Sequence, residues 1–259
     1  MESMLVFDRD AVRLHRDRAA ATVDQVADLL REGAERLLDR LDDMTGGFGL
    51  ALDVGGRGVV APLLRERGIA VVSCDLSARL ARSNPLPVAA DEEFLPFGAG
   101  TFDLIVGSLS LHWINDLPGA LIQMRRALRP EGLFLASMPA LGSLAELRAA
   151  LTETELAMRG GVSPRVSPFP DVSDCAGLLQ RAGFEAPVVD VEEIAVRYAD
   201  PLRLLRDLRA AGETNAIRTR SRSVPPAELF PAALAAMRGD DGRVPATLRL
   251  AMMTGWAGK

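Results

Sequence analysis

The sequence predicts an α/β fold, with a mostly parallel sheet, helices on both faces and an antiparallel pair at the C-terminal edge. Three observations predict it. Short apolar runs alternate with helical patterns between residues 48 and 140, as strands buried on both faces do. The first three runs each lead into an acid: Asp53, Asp75 and Asp91. A glycine-rich turn, Gly55-Gly56-Arg57-Gly58, follows the first run directly, and glycines there let the backbone approach a ligand.

The elements follow in order. Residues 5–18 are dense in charge, and Val23, Val26, Leu29, Leu30, Leu37, Leu38 and Leu41 then recur at helical spacing up to Gly46-Gly47. Strand one spans about 48–54, and a helix over 58–67 ends at Gly68. Ile69 to Asp75 is the second strand. Pro85 and Pro87 bracket a short third, and Phe102 to Ser108 is the fourth. A helix over 116–128 stops at Pro130-Glu131-Gly132, a turn that feeds strand five, Leu133 to Met138. Helices over 143–158 and 174–182 come next. Val188–Val191 and Ile194–Tyr198 then read as the closing hairpin, and residues 201–259 read as helices. This divides a single compact domain into a helical segment over the site (1–46), a core (47–198) and a helical extension (199–259).

Composition narrows the function. The 259 residues carry a net charge of −5, which disfavours nucleic acid as a partner. No apolar run reaches the ~18 residues of a transmembrane segment. Cys74 and Cys175 follow no paired spacing, as expected of reduced thiols. Asp8, Asp10 and Asp17 near the N-terminus argue against a signal or transit peptide. With a composition rich in Ala and Arg and poor in Lys, this fits a bacterial, cytoplasmic protein. Arg203, Arg206, Arg209, Arg218, Arg220 and Arg222 crowd one segment. They form either a solvated face or a docking patch for an acidic partner.

The acid before the glycine turn selects the cofactor. A dinucleotide wants its pyrophosphate on the helix N-terminus, where a carboxylate would repel it. S-adenosylmethionine carries no phosphate and offers an amino group, a sulfonium and ribose hydroxyls. On this reading Asp53, Gly55, Gly56 and Gly58 hold the methionine end. Asp75, with Leu76 beside it, meets the ribose, while Asp91 and Glu92 meet the adenine. Ser108 and Leu109 leave the fourth strand towards the cofactor, and His112 and Trp113 face the acceptor. The plainer reading of that loop is a half-buried His and Trp, with Asn115 or Asp116 capping the next helix. An arginine of the N-terminal segment, Arg18, reaches the cofactor carboxylate. No metal set is assigned. His15-Arg16-Asp17 has the spacing of two facial-triad ligands, but a helix there would point the two apart.

Residues 48–140 resemble the Rossmann-like class I S-adenosylmethionine-dependent methyltransferases, through Asp53 with its turn, Asp75 and Asp91. That family's turn runs Asp-x-Gly-x-Gly-x-Gly. Here it is one residue shorter: either a residue is lost or Arg57 stands where a glycine would. Segments along nearly the whole chain are similar to the complex I assembly factors of methyltransferase fold. They are Phe7 to Ala20, Ser108 to Trp113 with Asn115 to Pro118, Ser163 to Phe169, Gly212 to Ala216, Asp241 to Thr247, and Gly255-Trp256. The malonyl-carrier O-methyltransferases are more distantly similar. The resemblance implies methyl transfer to an unidentified acceptor. Its alternatives are hydroxylation of a peptidyl arginine and a non-catalytic role, either one serving assembly of respiratory complex I, a subunit of which would be the partner.

Overall fold

Seven strands build one sheet in the order β3-β2-β1-β4-β5-β7-β6 in a computed structural model that describes residues 5–44, 46–84 and 86–259. The strands are β1 (Leu50–Val54), β2 (Ala70–Asp75), β3 (Pro87–Ala89), β4 (Phe102–Ser108), β5 (Leu128–Pro139), β6 (Phe184–Tyr198) and β7 (Val244–Ala257). The first five run parallel, and β7 lies antiparallel to both β5 and β6. The helices are α1 (Arg9–Ala19), α2 (Ala27–Leu38), α3 (Val60–Glu66), α4 (Ala78–Ala81), α5 (Leu117–Ala127), α6 (Ala145–Arg159), α7 (Val172–Arg181), α8 (Pro201–Ala210) and α9 (Leu229–Ala236). Pro85 lies outside the described residues.

Strand alternation splits the core in two. Leu104 and Val106 of β4 face one side, against Leu37 and Leu38 of α2 and Val60 and Leu64 of α3. Ile105 faces the other, with Leu121 and Met124 of α5 and Leu179 of α7. A third cluster joins α6, α8 and α9 to the ends of β6 and β7.

Two expectations are corrected. Residues 201–259 are not all helical, because β7 is a 14-residue strand between β5 and β6. Leu250 to Met253 are all buried, and periodicity does not separate a short, doubly covered apolar run from a helix. The two runs expected to form the closing hairpin are parts of one strand, β6, whose partner is β7. The acids between the runs, half-buried Glu192 and exposed Glu193, do not interrupt the ladder, and both pair with β7.

The N-terminal segment is tied down across the carboxyl ends of the parallel strands. Asp8 caps α1 by accepting from the Ala11 amide. Asn115 holds the Phe7 backbone from both sides, accepting from its N–H at 2.8 Å and donating to its carbonyl at 3.2 Å. Asp116 instead caps α5, through the Gly119 amide. Phe7 packs edge-on against Trp113, with ring centres 5.2 Å apart.

Candidate functional site

The glycine turn after β1 is built on Asp53. A Cβ at Gly56 would collide with the Asp53 carboxylate, and one at Gly55 (φ +68°) would lie 2.7 Å from Ser110 Cβ. Only glycine fits either place. Arg57 adopts φ +51°, a conformation that costs a non-glycine residue roughly 1 kcal/mol or more. The Asp53 carboxylate is buried, and neither oxygen has a well-formed hydrogen bond among the described residues. Burial, joined by the nearby charge of Asp75, pushes its carboxyl up to about 8. The amides of Gly56 and Ala61 and the Ser73 hydroxyl oppose this without cancelling it.

The acids that follow β2 and β3 converge on the same cleft. Asp75 accepts from the Ser77 amide at 2.7 Å. Glu92, fully buried, takes Arg16 at 2.8 Å on one oxygen and Arg9 on the other. Asp91 accepts from Arg9 at 2.6 Å. Arg16 also lies 3.4 Å from Asp75 and donates to the Ser110 carbonyl at 3.3 Å. Burial alone would lower the Arg16 guanidinium, but Asp75, Glu92 and Glu213 outweigh it and hold it above the usual arginine value. Burial raises the Asp75 carboxyl, with Arg16 opposing. Arg9 and Arg16, and not Arg18, are the α1 arginines in the cleft, since Arg18 lies exposed on the outer face. Leu76 is half-buried against the Phe7–Trp113 cluster. Ser108, at the end of β4, is buried opposite Ser137 of β5.

The loop after β4 opens on a second cluster. Leu109 turns back with φ +51°, and its carbonyl accepts from the Arg57 guanidinium. His112 and Trp113 follow in a short 3-10 turn. Glu213, just after α8, binds three donors: Arg57 at 2.8 Å, Trp113 Nε1 at 2.6 Å and His112 Nε2 at 2.7 Å. Burial would raise the Glu213 carboxyl, but His112 and Arg57 overcome it and hold the group far below the usual carboxylate range. Burial lowers the Arg57 guanidinium, and Glu213 resists that. His112 Nδ1 and Arg57 Nε are buried without partners among the described residues.

This cluster closes one end of a cavity of about 130 Å³. Its walls are mainly apolar and include Leu30, Leu147, Phe169, Tyr198 and Leu208. The Ser163–Phe169 and Gly212–Ala216 segments both contribute to it, through Val166, Phe169 and Glu213. Glu213 escaped sequence reasoning because it follows an arginine-rich helix and lies 100 residues from Trp113. The one available signal was that it sits in a segment already singled out by resemblance. The arginine-rich segment pairs within itself, Arg203 with Asp207 and Arg206 with Asp200, and Arg220 pairs with Asp8 of the N-terminal segment. α1 is helical through His15 and Asp17. No three His, Cys, Asp or Glu among the described residues are grouped to hold a metal, and no described helix is long and apolar enough to cross a membrane.

The first cluster suits a cationic ligand. Three buried carboxyl groups, Asp53, Asp75 and Glu92, face one cleft, and Asp53 has no well-formed hydrogen bond among the described residues. Arg16 is the cation held between the other two in this structure. That set of acceptors matches the amino group, sulfonium and ribose diol of S-adenosylmethionine, which would share the cleft with Arg16 or displace it.

Comparison with known proteins agrees. A family model described as a methyltransferase domain matches residues 17–189. The mitochondrial arginine-hydroxylase NDUFAF5 of Danio rerio is 41% identical over 268 residues, covering 98% of this chain and 84% of that protein. A malonyl-[acyl-carrier protein] O-methyltransferase of Methylovorus sp. is 33% identical over 271 residues, covering 97% and 90%. Among solved structures, phosphoethanolamine N-methyltransferase 2 of Haemonchus contortus, in complex with S-adenosyl-L-methionine, matches with a TM-score of 0.51 at 17% identity. That match covers 88% of this chain and 53% of the other and bears on the fold.

Proposed function

The chain belongs to the methyltransferase-domain family, and on that premise we infer that it is an S-adenosylmethionine-dependent methyltransferase. The observation that carries the reading is the convergence of Asp53, Asp75 and Glu92 on one cleft beside a glycine turn. Asp53 and the turn at Gly55, Gly56 and Gly58 would hold the methionine end. Asp75 would take the ribose hydroxyls, Asp91 and Glu92 the adenine, and Ser108 and Leu109 would line the far wall. When bound, the cofactor would supply an electrophilic methyl carbon for the acceptor's lone pair, with the carbon–sulfur electron pair left on sulfur. The protein contributes chiefly alignment of nucleophile and methyl, and alignment alone supplies much of such an acceleration. His112 and Trp113 line the apolar cavity, where an acceptor would enter.

A second reading, hydroxylation of a peptidyl arginine during respiratory complex assembly, is favoured by one observation. The higher-identity relative carries the name arginine-hydroxylase and matches along nearly the whole chain. Composition supports a bacterial, cytoplasmic setting for either reaction. The deciding experiment incubates the chain with methyl-labelled S-adenosylmethionine and a candidate polypeptide, then weighs the modified peptide. Label in the product and a methyl increment support methyl transfer. An oxygen increment without label overturns it in favour of the second reading.

A further inference from the structure

We propose that His112 and Glu213 form a proton-accepting pair, and that the cavity beside them takes a neutral hydroxyl at the end of a short apolar stem. The inference deepens the methyl-transfer reading and rests on it.

Three observations carry it. The first is size. At about 130 Å³ the cavity is close to the roughly 150 Å³ engineered void that holds benzene. One side chain or short stem of that bulk fits, and the walls are mainly apolar.

The second is the unmet hydrogen-bonding capacity at the polar end. Glu213 is saturated by Arg57, His112 and Trp113. It therefore has little left to offer a ligand, and it fixes the imidazole instead. A carboxylate accepts only, so the His112 nitrogen facing it, Nε2, carries the proton. Nδ1 is left as a bare acceptor, buried and unpartnered. Arg57 Nε is an unpartnered donor on the same cluster. One acceptor and one donor together match a hydroxyl, which does both.

The third is charge. A cationic head would find every charge that lines the cavity already paired: Arg57 with Glu213, Arg165 with Glu155 and Asp207 with Arg203. A carboxylate head would meet the lone pair of Nδ1. A neutral hydroxyl meets neither obstacle.

The proton bookkeeping closes within the pair. As the acceptor oxygen bonds to the methyl carbon, its O–H bond breaks and the proton goes to His112 Nδ1. The O–H electron pair stays on oxygen, and the imidazolium is stabilised by the Glu213 carboxylate. His112 is then a catalytic residue, whereas Glu213 acts through it and is a positioning residue.

The test uses the full chain and benzene-sized probes. The chain has two histidines, so its ring-nitrogen NMR spectrum is simple. The His112 signals are expected to show a protonated Nε2 and a bare Nδ1, with Nδ1 shifting on addition of phenol. By calorimetry, phenol is expected to bind about tenfold or more tightly than benzene, benzylammonium or benzoate, the gain of hydrogen bonds to charged and polar groups. Glu213→Gln should erase the preference for phenol over benzene and scramble the tautomer. A proton on Nδ1, or benzoate or benzylammonium binding as tightly as phenol, overturns the proposal. Should Glu213→Gln fail to fold, the wild-type spectrum and probe ranking still decide. A parallel S-adenosylmethionine titration separates the two claims. Phenol preference without cofactor binding rejects methyl transfer, and cofactor binding without phenol preference rejects the pair.

Discussion

Two acids lie either side of the glycine turn, Asp53 buried and Glu213 half-buried, and they are in opposite states. Asp53 sits beneath the turn with no well-formed hydrogen bond, and burial lifts its carboxyl to about 8. Glu213, across the loop after β4, is held as an anion by one guanidinium, one imidazole and one indole N–H. Burial is the largest influence on both. The difference teaches that partners, and not depth alone, decide which carboxylate is charged. The cleft around Asp53 has capacity left for a ligand, whereas the capacity of Glu213 is spent on fixing its neighbours.

The largest expected effect comes from removing the cation that the first cluster holds. Arg16→Met leaves buried Asp75 without a guanidinium and Glu92 with Arg9 alone. Urea unfolding near neutral pH should show a loss of about 3–5 kcal/mol, the usual cost of breaking a buried pair from one side. A loss below about 1 kcal/mol would mean that Arg16 is a surface-like pair in energetic terms.

Glu213→Gln comes next, with an expected loss of about 2–3 kcal/mol from a charge-assisted network. Its pH signature is as informative. The folded-state carboxyl lies below its ordinary 4.5, so its contribution is present above about pH 4.5 and is lost as pH falls through the folded value. The variant should lack that acid-side loss.

Asp53→Asn should act in the opposite direction and more weakly. With the folded value near 8 against an ordinary 3.8, the folded state binds more protons than the unfolded chain between those limits. Stability should therefore fall as pH rises from about 4 to about 8. The variant should flatten this slope and gain about 1–2 kcal/mol at pH 8, since the amide is still a buried polar group. An unchanged slope would show that the turn amides already satisfy the carboxylate.

How much of this was legible in the sequence follows the same division. Asp53, Asp75 and Asp91 could be found because each closes a strand or follows one closely, and parallel strands bring their carboxyl ends to one edge. The turn glycines were legible for the same local reason. The second cluster was half legible. His112 and Trp113 leave a strand end, but Glu213 and Arg57 reach them only through the tertiary fold. Arg18 was expected in the cleft, yet helical geometry turns Arg16 inward and Arg18 out. β7 was read as helix because an apolar run buried on both faces carries no alternation. In each case pattern served where the neighbour was local and lost its hold where the partner came from a distant segment.

The most direct test of the central claim is a calorimetric titration of S-adenosylmethionine into the wild-type chain, Asp75→Asn and Glu213→Gln. If the acid-lined cleft is the cofactor site, the wild type binds and Asp75→Asn weakens binding by about tenfold or more, the worth of one charge-assisted hydrogen bond. Glu213→Gln should stay near the wild-type value. No binding by the wild type, or an equal loss in both variants, would contradict the account.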